Sequence, residues 1–164
     1  MEPPVSGPNI FNPQFEQRSH PGDPSFDAGR AFIGRAAGSR RLGASVWEIA
    51  PGKTAYPYHA HLGDEELIFV LSGRPSLRTP EGTRELEPGE AVAFPRGEEG
   101  AHQLANRTEE TVRFLAVSTS GDPDVVLYLD AGKLGAAERR QDGAGVTRFF
   151  FIDSAVDYWE GVDG

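Results

Sequence analysis

The sequence predicts an all-β protein built as a sandwich or barrel. Short segments rich in β-branched and aromatic residues recur along residues 31–129. Turn signals such as Pro51-Gly52 and Ser72-Gly73 separate these segments at intervals of about 8–12 residues. Between the turns there is no stretch with the apolar spacing of an amphipathic helix. Frequent turns and short alternating segments together favour a sheet protein.

Nine segments of this central region are predicted strands, because each is apolar or alternating and each ends near a turn signal. In chain order they are residues 42–49, 56–61, 66–71, 76–79, 84–86, 91–94, 102–106, 111–118 and 125–129. Gly73 and Gly89 follow strand ends and are expected to adopt the positive φ that tight turns require. Pro95 is expected to end its strand, since proline lacks the N–H that a ladder needs.

The two ends of the chain differ from the central region. Residues 1–30 are expected to form an irregular, proline-rich arm that phenylalanines attach to the barrel or to a neighbouring subunit. Residues 130–164 are expected to form a C-terminal extension, in which 133–141 could be a short helix and 146–152 a strand. Its aromatic residues are expected to pack on the barrel or on a dimer partner, and a lid over a pocket is the alternative. We therefore expect a homodimer.

Composition narrows the possible functions. The chain has 164 residues, of which 38% are hydrophobic, so one domain can bury a core. Its net charge of -9 opposes contact with a nucleic-acid backbone. The absence of cysteine excludes disulfides and thiolate metal sites. No targeting signal or membrane span is evident, so we expect a cytoplasmic protein without nucleic-acid or membrane partners.

Three of the four histidines form a candidate site. His59 and His61 are two residues apart on a predicted strand, so their imidazoles share a face. Glu66 opens the next strand, and His102 lies on a distant one that hairpins could bring alongside. Each of these residues alone could be an ordinary core or surface residue. Together they offer three nitrogens and one oxygen to a divalent metal. If Glu66 faces inward, Glu65 is expected on the outer face or at the rim, because successive strand residues alternate.

Two stretches containing these residues resemble the paired motifs of the cupin superfamily. The first runs from Gly52 through His59, His61 and Glu66 to Gly73. The second runs from Gly89 through Pro95, Gly97 and His102 to Asn106, which is expected to have a structural role. The resemblance covers residues 42–118, with turns slightly longer than usual in both motifs. It implies a jelly roll containing a conserved β-barrel, with His59, His61, Glu66 and His102 as metal ligands.

The resemblance implies a metal-dependent enzyme acting on a small oxygen-rich molecule, by dioxygenase, isomerase, lyase or decarboxylase chemistry. A non-catalytic sensor, store or accessory subunit that binds metal or a small ligand is the alternative. An open cavity mouth favours the enzyme, and a mouth plugged by either end of the chain favours the alternative. The ligand types are compatible with one Fe, Mn, Ni, Co or Zn ion. No catalytic residue beyond the ligands is assigned.

Side chains beside the site are candidates for lining the cavity, depending on strand alternation. They are Tyr56, Tyr58, Phe69, Arg78, Phe94 and Gln103. Tyr58 and Gln103 adjoin ligand positions and are expected to face away from the metal. An inward Arg78 would suit a carboxylate or phosphate substrate, and a solvated strand arginine is the alternative.

Overall fold

In the computed structural model, residues 7–121, 123–138 and 145–162 are described, and β-strands dominate them. The strands are β1 (Glu16–His20), β2 (Asp23–Ala31), β3 (Leu42–Ile49), β4 (His59–His61), β5 (Glu66–Ser72), β6 (Ser76–Thr79), β7 (Gly82–Glu85), β8 (Ala91–Phe94), β9 (Gln103–Ala105), β10 (Val112–Thr119), β11 (Asp124–Tyr128), β12 (Lys133–Ala137) and β13 (Thr147–Phe151). A short helix, α1 (Ile33–Ala36), follows β2, and 3-10 turns lie at Glu98–Gly100, Leu129–Ala131 and Ile152–Ser154. Across these ranges, no helix is both long and apolar enough to cross a membrane.

The described strands form three antiparallel sheets. A six-stranded sheet has the order β1-β2-β3-β10-β5-β8, a four-stranded sheet β13-β12-β11-β4, and a three-stranded sheet β7-β6-β9. Backbone hydrogen bonds between His59 and His102, of 3.2 and 2.8 Å, connect β4 to the segment that leads into β9. The four-stranded and three-stranded sheets therefore meet at two of the predicted metal ligands.

The main hydrophobic core lies between the six-stranded and three-stranded sheets. Phe114 of β10 is fully buried and sits opposite Trp47 of β3. Leu77 of β6 and Leu104 of β9 enter the same core from the three-stranded sheet. Alternation along each strand sends these side chains to one face. Burying each such side chain stabilises the fold by about 1.5–3 kcal/mol relative to exposure, which fixes the strands that carry the candidate site.

The turn residues behave as the sequence predicts. Gly73 and Gly89 have φ values of 72° and 87°, and β8 ends immediately before Pro95. Asn106 is fully buried, and its Nδ2 donates hydrogen bonds to the Ile49 and Glu110 carbonyls at 2.9 and 2.7 Å. These two hydrogen bonds connect the end of β3 to the turn before β10, which is the structural role expected for Asn106.

Two expectations for the ends of the chain differ from the structure. Much of the expected irregular arm is a β-hairpin, β1 and β2, which extends the six-stranded sheet through β3. Pro24 is tolerated because it stands at the start of β2. The helix expected over 133–141 is wrong for 133–137, where β12 pairs with both β11 and β13. Hydrogen bonding of β12 on both of its edges outweighs the weak helical preference of this glycine-flanked segment. The remaining residues of the expected helix, 139–141, lie outside the described ranges.

Candidate metal centre

The four predicted ligands converge at one point inside the fold. Glu66 Oε2 lies 3.2 Å from His102 Nε2 and 3.4 Å from His61 Nε2. The His59 ring centre is 5.0 Å from that of His61 and 4.7 Å from that of His102. One nitrogen each from His59 and His61 and one Glu66 oxygen lie within 4.8 Å of one another. These three atoms are close enough to share a single ion, whereas His102 lies outside that group and joins the cluster through its contact with Glu66.

The outer hydrogen bonds of the three imidazoles determine which nitrogen faces inward. His59 Nδ1 lies 2.9 Å from the Pro57 carbonyl oxygen, and His102 Nδ1 lies 3.0 Å from that of Gly100. Because carbonyl oxygens only accept, each Nδ1 carries the proton, and in neutral imidazole each Nε2 keeps its lone pair. Metal-binding histidines characteristically donate their second ring nitrogen to such acceptors.

A carboxylate that the sequence analysis did not identify supports the third imidazole. Asp124 is fully buried at the start of β11, and its Oδ2 accepts from His61 Nδ1 at 2.6 Å. Its Oδ1 accepts from the Gly63 backbone N–H at 3.1 Å. β11 pairs with β4, but an isolated Asp at a strand end carries no signal of that pairing. The contact is therefore visible only in three dimensions.

Neighbouring carboxylates have separate roles. Asp64 is buried and, with His61 and Asp124, forms a second group of potential ligands. Its Oδ1 accepts from the Gly121 N–H at 2.5 Å, which ties it to the loop before β11. Glu65 is exposed, as expected from its alternation with Glu66. Of Glu65 and Glu66, the carboxylate directed at the imidazoles is thus Glu66, which lies at Nε2 of His61 and His102.

The ionisation of the site reflects dense packing of charge-bearing groups. Burial, with the nearby imidazoles of His102 and His61, lowers the pKa of His59 to about 3. Burial also opposes protonation of His61, but hydrogen bonds to Asp124 and Glu66 outweigh it and raise its pKa to about 9. Burial raises the pKa of Glu66, while hydrogen bonds from His102 and His61 lower it well below its usual range. The centre therefore favours a protonated His61 between Glu66 and Asp124, and a neutral His59.

This donor set fits a divalent transition metal. Three imidazole nitrogens and one carboxylate oxygen suit first-row ions, which accept mixed nitrogen and oxygen ligands. The proton on His61 Nε2 occupies the position that a cation would take, since a ligating imidazole must release it. The hydrogen bond from Nδ1 to Asp124 is compatible with either state.

Aromatic rings enclose the site. Phe94 stacks on His102, with ring centres 3.8 Å apart. Tyr56 meets His59 edge-on at 4.9 Å, and Tyr128 lies 6.2 Å from His59 on another side. Packed rings hold the imidazoles in fixed orientations and exclude water from their outer faces.

A cavity of about 1370 Å³ adjoins the centre, and residues of the β1–β2 hairpin form part of its wall. Of the six candidate lining residues, Tyr56 lies on its wall, and Tyr58, Phe69, Arg78, Phe94 and Gln103 do not. Arg78 instead binds Asp130 through two hydrogen bonds of 2.6 and 2.8 Å and covers the Tyr58 ring. The inward orientation considered for Arg78 is wrong, because β6 directs that side chain to the outer surface.

Comparisons with known proteins identify the fold. Residues 45–118 match the family model of the cupin domain. A protein provisionally described as a sugar phosphate isomerase from Acidithiobacillus ferrooxidans is 28% identical, with a TM-score of 0.76, and the match covers 90% of this chain and 91% of that one. A sugar phosphate isomerase from Silicibacter pomeroyi is 22% identical, with a TM-score of 0.77 and coverage of 92% and 95%. The polyketide cyclase RemF from Streptomyces resistomycificus is 27% identical, with a TM-score of 0.58 and coverage of 73% and 83%. A search among curated proteins gave no match.

The fold and its interior define an all-β jelly-roll protein whose clustered histidines and carboxylates could hold a metal ion. Residues 45–118 match the cupin domain, and the compared structures share the fold of the chain over 90% and 92% of its length. The resemblance given by the two sequence motifs and the fold that it implied are thereby confirmed.

Proposed function

We propose that this protein is an enzyme that uses one divalent transition metal, held by His59, His61, Glu66 and His102, to transform a small oxygen-rich molecule. The observation that carries the proposal is the set of outer hydrogen bonds on the imidazoles. Carbonyl oxygens accept from Nδ1 of His59 and His102, and Asp124 accepts from Nδ1 of His61. Nε2 of His61 and His102 consequently points at Glu66. An ordinary packed core does not require this arrangement.

The cavity favours catalysis over simple storage. An ion held by these four side chains would supply Lewis-acid or redox chemistry to a substrate in the adjoining cavity. The adjoining cavity is partly open to solvent, and His59, His61 and Glu66 lie on its wall together with residues of the β1–β2 hairpin. A small molecule can therefore reach the face of the centre that the aromatic rings leave uncovered.

Tyr56 is the nearest candidate for handling a substrate oxygen. Its ring lies on the cavity wall and contacts His59. Burial, together with the charge of Glu66, raises its pKa well above 10. The phenol therefore keeps its proton at neutral pH, and it can donate a hydrogen bond to a substrate oxygen.

Among dioxygenase, isomerase, lyase and decarboxylase reactions, we favour isomerisation of a sugar phosphate. The support is the likeness to the Acidithiobacillus protein, which is 28% identical over 90% of this chain. Sugar phosphates also meet the expectation of a small, oxygen-rich substrate. Incubating the metal-loaded protein with a panel of sugar phosphates, with proton NMR to follow isomerisation, tests this reaction class.

Metal content tests the centre itself. Protein purified without oxygen should contain about one first-row metal ion per chain, as measured by elemental analysis. His61→Ala should reduce this to less than about a tenth, because it removes a ligand and leaves the centre incomplete. His20→Ala is the matched control, since His20 is exposed in the hairpin and bonds the Gly22 N–H.

A well-folded wild-type protein that takes up none of Fe, Mn, Ni, Co or Zn would contradict the metal centre. A metal-loaded protein that binds members of the substrate panel but converts none would support the non-catalytic alternative. The two measurements therefore separate metal binding from catalysis.

A further inference from the structure

The face of the four-stranded sheet that carries the histidines continues past the metal centre. Alternation along β4 puts His59 and His61 on this face, where their rings meet. In the register of the sheet, Tyr128 of β11 pairs opposite His59, and Val126 pairs opposite His61. Both residues of β11 line the cavity. The inner side of β11 therefore forms the part of the cavity wall next to the histidines.

Tyr128 stands directly beside a predicted ligand. The centre of its ring lies 6.2 Å from that of His59, and the two ring planes are 25° apart. The phenol is half-buried, and it lines the same cavity as His59, His61 and Glu66. A molecule that occupies the cavity next to these residues therefore has the Tyr128 ring as its boundary on the β11 side.

Phe149 of β13 supports the Tyr128 ring from behind. The two ring centres are 5.8 Å apart, and the ring planes are tilted by 58°. Phe149 itself is 58% exposed and does not line the cavity. Aromatic pairs at this separation and tilt attract each other. Phe149 therefore restricts the positions that the Tyr128 ring can adopt.

Gly135 makes this contact across β12 possible. It pairs opposite Val126 on one edge of β12 and opposite Phe149 on the other. A Cβ atom at this position would lie 3.0 Å from Phe149 Cε1 and 3.3 Å from Tyr128 Cε2. Both distances are shorter than an optimal carbon–carbon contact of about 3.5–4.0 Å. The missing side chain thus lets Phe149 reach Tyr128, although β13 lies two strand spacings, or about 10 Å, from β11.

Lys133 adds a contact from β12. It pairs opposite Tyr128, and its Nζ lies 5.8 Å from the centre of the Tyr128 ring and 6.0 Å from that of Phe149. An ammonium group within about 6 Å of a ring centre is attracted to the ring. Side chains of both β12 and β13 therefore hold the phenol in place.

We propose that Tyr128 is a specificity-determining residue that limits the size of the substrate beside His59, and that Phe149 is its positioning residue. This inference rests on the proposed function, since it concerns the substrate of the same cavity. A wall that is held in place excludes a larger molecule by steric overlap. One methylene group more or less in a pocket changes discrimination about 10–200-fold. The cavity therefore selects short substrates over long ones.

Ligand size tests the role of Tyr128 in the metal-loaded protein. The probes are glycolate and gluconate, since both are hydroxycarboxylates whose oxygens bind divalent ions, and they differ in chain length. Isothermal titration calorimetry gives the ratio of their dissociation constants. In Tyr128→Ala this ratio should shift about tenfold or more in favour of gluconate, because the ring no longer occupies the space. Tyr128→Phe keeps the ring and should keep the wild-type ratio.

Phe149→Ala tests the positioning role. The ratio should shift in the same direction by about two- to tenfold, because the Tyr128 ring loses its support and can move away from the cavity. Phe150→Ala is the matched control, since Phe150 follows on the opposite face of β13 and is similarly exposed, at 51%. It should bind both probes as wild type does. Because Phe149 is exposed, its variant keeps the test decisive if Tyr128→Ala does not fold.

Two results would overturn the inference. One is a wild-type ratio in a folded Tyr128→Ala, or in Phe149→Ala where Tyr128→Ala does not fold. The other is a shift in Tyr128→Phe or Phe150→Ala as large as that in Tyr128→Ala. A shift in Tyr128→Ala with none in Phe149→Ala supports the specificity role of Tyr128 and overturns the positioning role of Phe149.

Metal content and turnover distinguish this inference from the proposed function. Each variant should retain about one metal ion per chain, because none of the substitutions removes a predicted ligand. A metal-loaded wild type that converts no sugar phosphate would overturn the proposed reaction, while a shifted ratio in Tyr128→Ala would still support the size limit. An unchanged ratio beside an active wild type would overturn the size limit and leave the proposed function in place.

Discussion

The candidate metal centre and the C-terminal segment 145–162 use aromatic residues in opposite ways. At the centre, Phe94 is 4% exposed and stacks on His102. In the C-terminal segment, Phe150, Phe151 and Trp159 are 51%, 61% and 69% exposed. One region encloses polar groups within apolar walls, while the other presents apolar rings to solvent.

The two regions differ in whether contacts within one chain satisfy their side chains. Among the described residues, no buried side-chain nitrogen or oxygen lacks a hydrogen-bond partner. β13, in contrast, is the edge of its sheet, and its neighbour β12 covers only one side of it. An exposed apolar cluster on an edge strand is typical of an interface. The polar groups of the centre are therefore partnered within the chain, whereas we expect a protein surface to cover the C-terminal segment.

The largest expected effect concerns the C-terminal segment. We predict that the protein is a homodimer at micromolar concentration and that the double variant Phe151→Ser/Trp159→Ser is monomeric. Replacing two exposed rings removes apolar area that only a partner could cover. Light scattering should therefore give half the wild-type mass.

Phe11→Ser is the control for this experiment, because Phe11 is 74% exposed at the opposite end of the chain. A dimer that persists in Phe11→Ser assigns the interface to the C-terminal segment. A monomeric wild-type protein would contradict the prediction and would leave the exposed rings without an explanation.

The next effect concerns the support of the metal centre. We predict that Asp124→Asn lowers metal affinity about 10–100-fold, since outer carboxylates on ligating histidines contribute this much. Asn can still accept from His61 Nδ1, but it has lost the negative charge beside the imidazole. Competition with a chelator measures the affinity.

Asp130→Asn is the matched control, because it removes a carboxylate that binds Arg78 on the outer surface. Its metal affinity should equal that of wild type. An Asp124→Asn protein with wild-type affinity would show that the buried carboxylate only ties β11 to the loop at Gly63.

Local patterns predicted the strands and the clustering of the candidate ligands better than they predicted the support of the site. The bounds of 42–49, 76–79 and 91–94 agree with β3, β6 and β8, because alternation and turns specify them locally. The hairpin β1–β2 was missed, since its pairing with β3 stabilises a segment rich in turn residues. The role of Asp124 was missed because it depends on strand register, which no local pattern encodes.

The smallest predicted effect is the pH dependence of stability in the metal-free protein. His61 has a folded pKa of about 9 against 6.5 when unfolded, so its contribution is complete below 6.5 and is lost as pH rises through 9. His59 has a folded pKa of about 3, so only the unfolded state takes up its proton as pH falls below 6.5. These opposite shifts predict a stability maximum near pH 6.5, with losses on the order of 1–3 kcal/mol on either side.

Thermal unfolding of the chelator-treated protein across pH 4–10 measures this maximum, and variants identify its two sides. His61→Ala should flatten the alkaline side, because the charge held between Asp124 and Glu66 is gone. His59→Ala should flatten the acid side, because the unfolded state no longer gains a proton at this position. At still lower pH stability should fall in both proteins, since the Glu66 carboxylate stabilises the fold only above the lowered pKa of Glu66. A melting temperature that stays level between pH 6.5 and 9.5 in the wild type would mean that the metal-free centre holds no proton on His61. The centre would then present a free Nε2 to the ion, and metal binding near pH 7 would release no proton from His61.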